Sequence, residues 1–253
     1  MKCSDHKITL MKKHCEGLLE SSQKISSIKL DDSDDLGFMS ACFLSKQTDH
    51  MFAIIRLLPH ADIQLISRSM IEGLVQLHWC FKYPEQAFIW RGFAWVHDWR
   101  LSRDMAKIGR CGDPEHINRI NDFIIEHGES FKKKKYKGKS PSDDVDPYHQ
   151  NWRCGTSLKE MAEIVDGEQL YTDLYSPYSD WQHWGVGSMG EMLDRSNEVV
   201  SYRDNVKSNL CSSLAVAFQC LYEVVKLNNL HHSHGMEKNL DRILSEYIAM
   251  HQA

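Results

Sequence analysis

Apolar residues recur along this chain at intervals of three and four, the spacing that lines one face of an α-helix. Ile8, Met11, Cys15, Leu18, Ile25 and Ile28 mark a first helix over residues 7–30, and the acidic run 31–35 supplies its stop and the N-cap candidates of the next. A second helix covers 36–58 and ends at Pro59. A third covers 61–82 and ends before Pro84, so the two form an αα-hairpin. A fourth, over 85–108, is dense in aromatics (Phe88, Trp90, Phe93, Trp95, Trp99) and stops near Gly109 and Gly112. Asp113 followed by Pro114 is an N-cap with proline at the first helical position, which opens a fifth helix toward Lys137.

Residues 138–155 carry prolines, serines and aspartates without an apolar period and read as the one long loop. Ser157 with Glu160 is a capping box for a short sixth helix ending near Asp166 and Gly167. The seventh segment, 168–184, contains Pro177 and is either a kinked helix or a short one capped by Ser176. Gly185, Gly187 and Gly190 follow. An eighth helix over 199–227, with Leu210, Leu214, Val216, Phe218 and Leu221 in its apolar middle, is the expected central core helix, and a ninth covers 237–250.

Six prolines and fourteen glycines in 253 residues are too few turn formers for a sandwich or barrel. The fold class is therefore all-α, a multi-helix bundle of about eight or nine helices, read as a single domain over 1–253. A net charge of −5 argues against a surface built throughout to neutralise phosphates, though a local basic site remains open. None of the eight cysteines lies in a Cys-x-x-Cys pair, and several sit among apolar residues, which reads as reduced thiols. Asp5, His6 and Lys7 stand where a signal peptide needs an apolar core, and no uninterrupted apolar run approaches the roughly 18 residues of a membrane span. The expected location is the cytoplasm, with no membrane partner.

On the third helix Arg68 and Glu72 stand one turn apart and Gln76 continues the row, yet Leu65 and Trp79 share that side. A helix apolar nearly all round is buried, which puts the Arg/Glu pair in an interior polar pocket; the plainer reading is an exposed salt bridge of marginal value. On the seventh segment Tyr175, Ser179 and His183 follow one another at four-residue spacing. Histidine titrates near neutrality and, with a serine one turn away, suits proton transfer or anion binding; the plainer reading is a polar stripe packed beside aromatics.

An Arg-x-x-x-Glu helix with a nearby tryptophan (Arg68, Glu72, Trp79), followed by Leu-Tyr-x-x-x-Ser-x-x-x-His (Leu174, Tyr175, Ser179, His183), resembles an uncharacterised bacterial family of all-helical proteins known as a domain of unknown function, over roughly 52–225. That family is loosely similar to the HEPN class of helical RNA-cleaving toxins and defence proteins, whose hallmark is an arginine four to six residues before a histidine. Arg110 and His116 come near that spacing, but Gly112, Asp113 and Pro114 lie between them, so the HEPN pair is not carried over.

Neither His-Glu-x-x-His nor Glu-x-x-His occurs, which removes zincin and ferritin-like di-iron readings. His231, His232 and His234, with Cys220 upstream, have the residue types for zinc, but histidines at a helix end also suit the helix dipole, and no metal is assigned. Lys132, Lys133, Lys134 and Lys135, with Lys137 and Lys139 beyond, form a basic run beside Phe131 and Tyr136; such a run meets nucleic acid or simply ends a helix. No phosphate-binding glycine loop appears.

These residues lead to one expectation: Arg68, Glu72, Tyr175, Ser179 and His183 converge on a polar site of a metal-independent phosphodiesterase or ribonuclease-like effector, in toxin or phage-defence biology. His183 is its acid or base, Arg68 stabilises phosphate charge, Glu72 orients Arg68, and Ser179, Tyr175 and Trp79 position or bind substrate. No cofactor is expected, and the partners are RNA or another phosphate-containing ligand and a second copy of the chain. The alternative is a non-catalytic interaction or oligomerisation module whose polar cluster fixes helix register.

Overall fold

The computed structural model describes residues 4–25, 30–60, 62–139, 145–183, 193–196, 199–202 and 207–252. Its helices are α1 (Asp5–Gln23), α2 (Asp35–Leu57), α3 (Ile63–Lys82), α4 (Glu85–Lys107), α5 (Pro114–His127), α6 (Leu158–Ile164), α7 (Glu168–Leu170), α8 (Ser176–Gln182), α9 (Lys207–His232) and α10 (Glu237–Gln252). The chain is the all-α, multi-helix bundle that its periodicity predicts. Among the described residues, a single antiparallel hairpin adds to it, β1 (Leu193–Ser196) paired with β2 (Val199–Tyr202).

The caps explain where several helices start. The Asp34 carboxylate accepts from the Gly37 N–H at 2.8 Å to begin α2, and Asp113 accepts from Glu115 and His116 ahead of Pro114 to begin α5. The Ser157/Glu160 box forms in both directions, with Ser157 N–H donating to Glu160 at 2.6 Å and Glu160 N–H donating to Ser157 Oγ at 3.2 Å.

Three boundaries differ from the reading of the sequence. The first helix ends at Gln23 rather than near residue 30; residues 26–29 lie outside those described. The fifth ends at His127, not Lys137, because Phe131 is fully buried, and the chain leaves the helix to place it. It then runs through the 3₁₀ turns Gly128–Phe131 and Lys134–Tyr136, with an isolated bridge between Lys132 and Tyr148. The eighth does not start at Val199: the residues from Val199 to Tyr202, rich in β-branched and aromatic types, form β2, and α9 begins at Lys207. The glycines at 185, 187 and 190 and the loop residues 140–144 lie outside the described residues.

The chain divides into two units, one made of Met1–Trp79 and Met161–Ala253 and the other of Cys80–Glu160. In the first, α9 packs on α1 and α2, and α10 covers α1 and α9. Met11, Cys15 and Leu18 of α1, Met39, Met51 and Ile54 of α2, and Leu214, Phe218 and Leu221 of α9 are buried there. Several buried polar side chains bond across helices: Gln47 donates to the Met70 carbonyl at 2.8 Å, Ser67 to the Ser213 carbonyl at 3.2 Å, and Asn228 to Ser40 Oγ at 3.0 Å. Asn209–His232 is long and apolar enough to cross a membrane by composition, but 67% of that window is buried inside the protein, as befits a core helix. Cys211, also on α9, is disulfide-bonded, which corrects the expectation of eight reduced thiols. Cys15, Cys42, Cys80, Cys111, Cys154 and Cys220 keep their thiols outside any disulfide.

The second unit builds an aromatic core between α4 and α5, with Val96, Ile120, Ile124, Phe131 and Tyr148 buried and Phe93, Trp95, Trp99 and Phe123 packed against them. Arg100 ties the following loop to α4, donating to Asp146 at 2.9 Å and to the His149 carbonyl at 2.6 Å.

Candidate functional site

The row on α3 and the row that leads into α8 do meet, at one point. Arg68 Nη2 donates to the Tyr175 hydroxyl at 2.7 Å, and its guanidinium carbon lies 4.7 Å from the centre of the Tyr175 ring. Tyr171 stacks on Tyr175 at 4.9 Å, so the phenol is held from behind. Arg68 Nε is buried and has no hydrogen-bond partner.

The register of this contact depends on Pro177. A proline inside a helix has no N–H to give and its ring crowds the carbonyl four residues back. The chain resolves this with a π turn over Tyr171–Tyr175, in which the Ser176 N–H reaches back to the Tyr171 carbonyl, and the helix then continues to Gln182. The seventh segment is thus a distorted continuous helix. Ser213 Oγ, on α9, donates to the buried Tyr178 hydroxyl at 3.4 Å, so α8 is anchored on two sides.

Glu72 is half-buried and accepts from Gln76 at 3.3 Å; no ion pair joins it to Arg68 among the described residues. Ser179 is half-buried and His183 is exposed, joined through the backbone by the His183 N–H donating to the Ser179 carbonyl at 3.1 Å. Eight residues of helix separate Tyr175 from His183, about 12 Å of rise, so Arg68 sits at one end of the row and His183 at the other. Trp79 is buried, 6% exposed, and offers no open ring face.

A cleft of about 550 Å³ lies in the first unit, next to this contact in sequence: Leu174 lines it, and the following residue is Tyr175. His78 of α3, Asp173 ahead of α8, Asp166 before α7, Gln169 of α7, and Gln219 and Glu223 of α9 supply its polar lining. Burial holds the His78 imidazole below its ordinary value, with Lys226 adding to the effect and Glu223 opposing it. The ring is therefore neutral near pH 7, and three carboxylates give the cleft a negative potential that favours a cationic group over a phosphate. The sequence hides His78, which sits between Leu77 and Trp79 in an apolar run; the one-turn spacings Leu74/His78 on α3 and Gln219/Glu223 on α9 are the available signal.

The lysine run is structural in part. Lys132 is buried, its ammonium bonded to Glu129 and donating to the Lys139 carbonyl at 2.7 Å, while Lys135 lies 4.9 Å over the Tyr136 ring. At the end of α9, His231 Nε2 stands 2.7 Å from Asp34 Oδ2, and His234 Nε2 stands 3.1 Å from Asn228 Oδ1. His116, near Arg110 in sequence, pairs with Asp98 at 3.4 Å.

A family model described as a family of unknown function (DUF5677) matches residues 38–200. Arg68, Glu72, Trp79, Tyr175, Ser179 and His183 all fall within that stretch, as the resemblance drawn from them implies. No curated protein and no solved structure matches the chain.

Proposed function

The chain belongs to this family of unknown function, and because the family brings no activity with it, we propose one from the site: recognition of a phosphate-bearing ligand, with RNA as the best fit, followed by metal-independent phosphodiester cleavage. The observation that carries the reading is Arg68, a half-buried guanidinium held by a phenol, with its buried Nε unpartnered. A charge that has given up part of its hydration without a carboxylate in return binds an anion favourably. His183, exposed and at the far end of the row, is reachable from solvent and serves as general acid or base, with Ser179 between them. The 12 Å or so between the two ends suits an extended backbone better than a single phosphate. The phosphate is assigned to Arg68 rather than to the cleft, whose carboxylates repel it.

The test is a single-stranded RNA carrying a fluorophore and a quencher, incubated with the full chain in EDTA. Cleavage is expected, reduced by about 10²-fold or more in His183→Ala, while Arg68→Ala weakens binding of a non-cleavable RNA. Intact RNA with the unaltered protein ends the catalytic reading. The second reading, a non-catalytic helical module, is favoured by the burial of Tyr175 and Trp79, which makes the Arg68 contact a register lock between α3 and α8. Its signature is a lower melting temperature in Arg68→Ala with no RNA bound by either protein.

A further inference from the structure

At the C-terminal end of α9, His231 and His232 face the Asp34 side chain that starts α2. One ligand atom from each of these three residues lies within 4.8 Å of the others. The two Asp34 oxygens have separate tasks: Oδ1 accepts from the Gly37 N–H at 2.8 Å, and Oδ2 stands 2.7 Å from His231 Nε2. The His231 and His232 rings are 4.8 Å apart and nearly perpendicular, and His232 Nε2 is buried with no hydrogen-bond partner. A buried imidazole nitrogen without a partner is a cost that a ligand would remove. The opening is also kept clear from below. A Cβ on Gly37 would fall 2.1 Å from Asp34 Oδ2 and 3.0 Å from His231 Nε2, so only glycine leaves these atoms room.

We propose that Asp34, His231 and His232 form a binding site for a first-row divalent cation, with zinc as the reference ion. Two imidazoles and one carboxylate are the donor set that such ions take, whereas magnesium and calcium prefer oxygen alone. A tetrahedral ion with bonds of about 2.0 Å holds its ligand atoms roughly 3.3 Å apart. The Asp34–His231 contact therefore opens from 2.7 Å toward that spacing, and His232 swings in. Binding needs the His231 Nε2 lone pair, so a proton shared between that nitrogen and Asp34 is released to solvent as the ion enters. Three protein ligands leave the fourth position for water or a ligand atom. Since Asn228 holds His234, that histidine borders the site without entering it. Asp34, His231 and His232 all lie outside residues 38–200, and the site does not depend on the phosphate reading.

The experiment is calorimetric titration of zinc chloride into the full chain, stripped with EDTA and dialysed, near neutral pH. One tight equivalent is expected, no comparable heat from magnesium chloride, and a rise in melting temperature with zinc. His232→Ala weakens the tight site by more than about tenfold, the low end of what even outer-shell changes cost metal sites. Asp34→Asn, which keeps the oxygen that caps α2, does the same, and both variants retain the helical circular dichroism spectrum. Absence of a tight equivalent in the unaltered chain overturns the proposal, as does an unchanged tight site in both variants, which would place the zinc on other histidines.

Discussion

An arginine that reaches a tyrosine hydroxyl at 2.7 Å and lies over the same ring keeps its charge while losing part of its water, so its energetics differ from those of an ion pair. Two substitutions separate the cases. Tyr175→Phe keeps the ring and removes the hydroxyl, and should cost about 1.5 kcal/mol, the lower range for a hydrogen bond to a charged group. Glu72→Ala should cost less than about 1 kcal/mol, since Glu72 bonds Gln76 and not Arg68. Urea denaturation of the two variants checks both, and a larger loss for Glu72→Ala reverses the assignment. At this scale the sequence revealed which residues matter more readily than what they touch. Four-residue spacing singled out Arg68 and Tyr175, but the arginine's choice of a phenol 107 positions away over an acid one turn away is a tertiary fact. His78 was hidden for a related reason: its apolar neighbours made its position look like core.

Helix ends were legible where their chemistry is local, as at Asp34, Asp113 and the Ser157/Glu160 box, because a cap is written within four residues. They were not legible where packing decides, as at α5, which stops so that Phe131 can be buried, and at β2, where an apolar period was extended across a strand. The α2 cap carries its own prediction. Alanine is normally favoured over glycine in a helix by up to about 1 kcal/mol, and Gly17→Ala, with nothing within 4 Å of its new Cβ, should stabilise α1. Gly37→Ala should do the opposite, costing about 1–2 kcal/mol as the Asp34 cap is displaced. Melting temperatures that move the same way in both variants contradict this account of Gly37.

For the whole molecule, acid should be destabilising well before the carboxylates titrate. His50, His78, His149 and His251 are each held below their ordinary value near 6.5, chiefly by burial. The unfolded chain therefore binds more protons than the folded one as pH falls through 6.5. Their contribution is complete above that value and is lost below it. Asp34, where the opposing effect of burial is outweighed by hydrogen bonds with His231 and the Gly37 N–H, and Glu129, bonded to Lys132, are held below the usual carboxylate range and add a further loss at lower pH. Melting temperature should drop between about pH 7.5 and about pH 5.5, and a flat profile over that interval refutes the assignment of these histidines. The all-α class was legible from turn scarcity alone, while the division into two units was not, since α3 carries an unbroken apolar pattern across the Trp79/Cys80 boundary.

That division has a temporal side. The Cys80–Glu160 unit holds its whole core, from Val96 to Tyr148, in one uninterrupted stretch, so nothing it needs is still unmade once that stretch has left the ribosome. The other unit is split around it. Met11, Leu18, Met39 and Met51 emerge first but stay uncovered until α9 arrives with Leu214, Phe218 and Leu221. The segment translated in the middle is therefore the one positioned to fold first, and the earliest helices are the last to be enclosed.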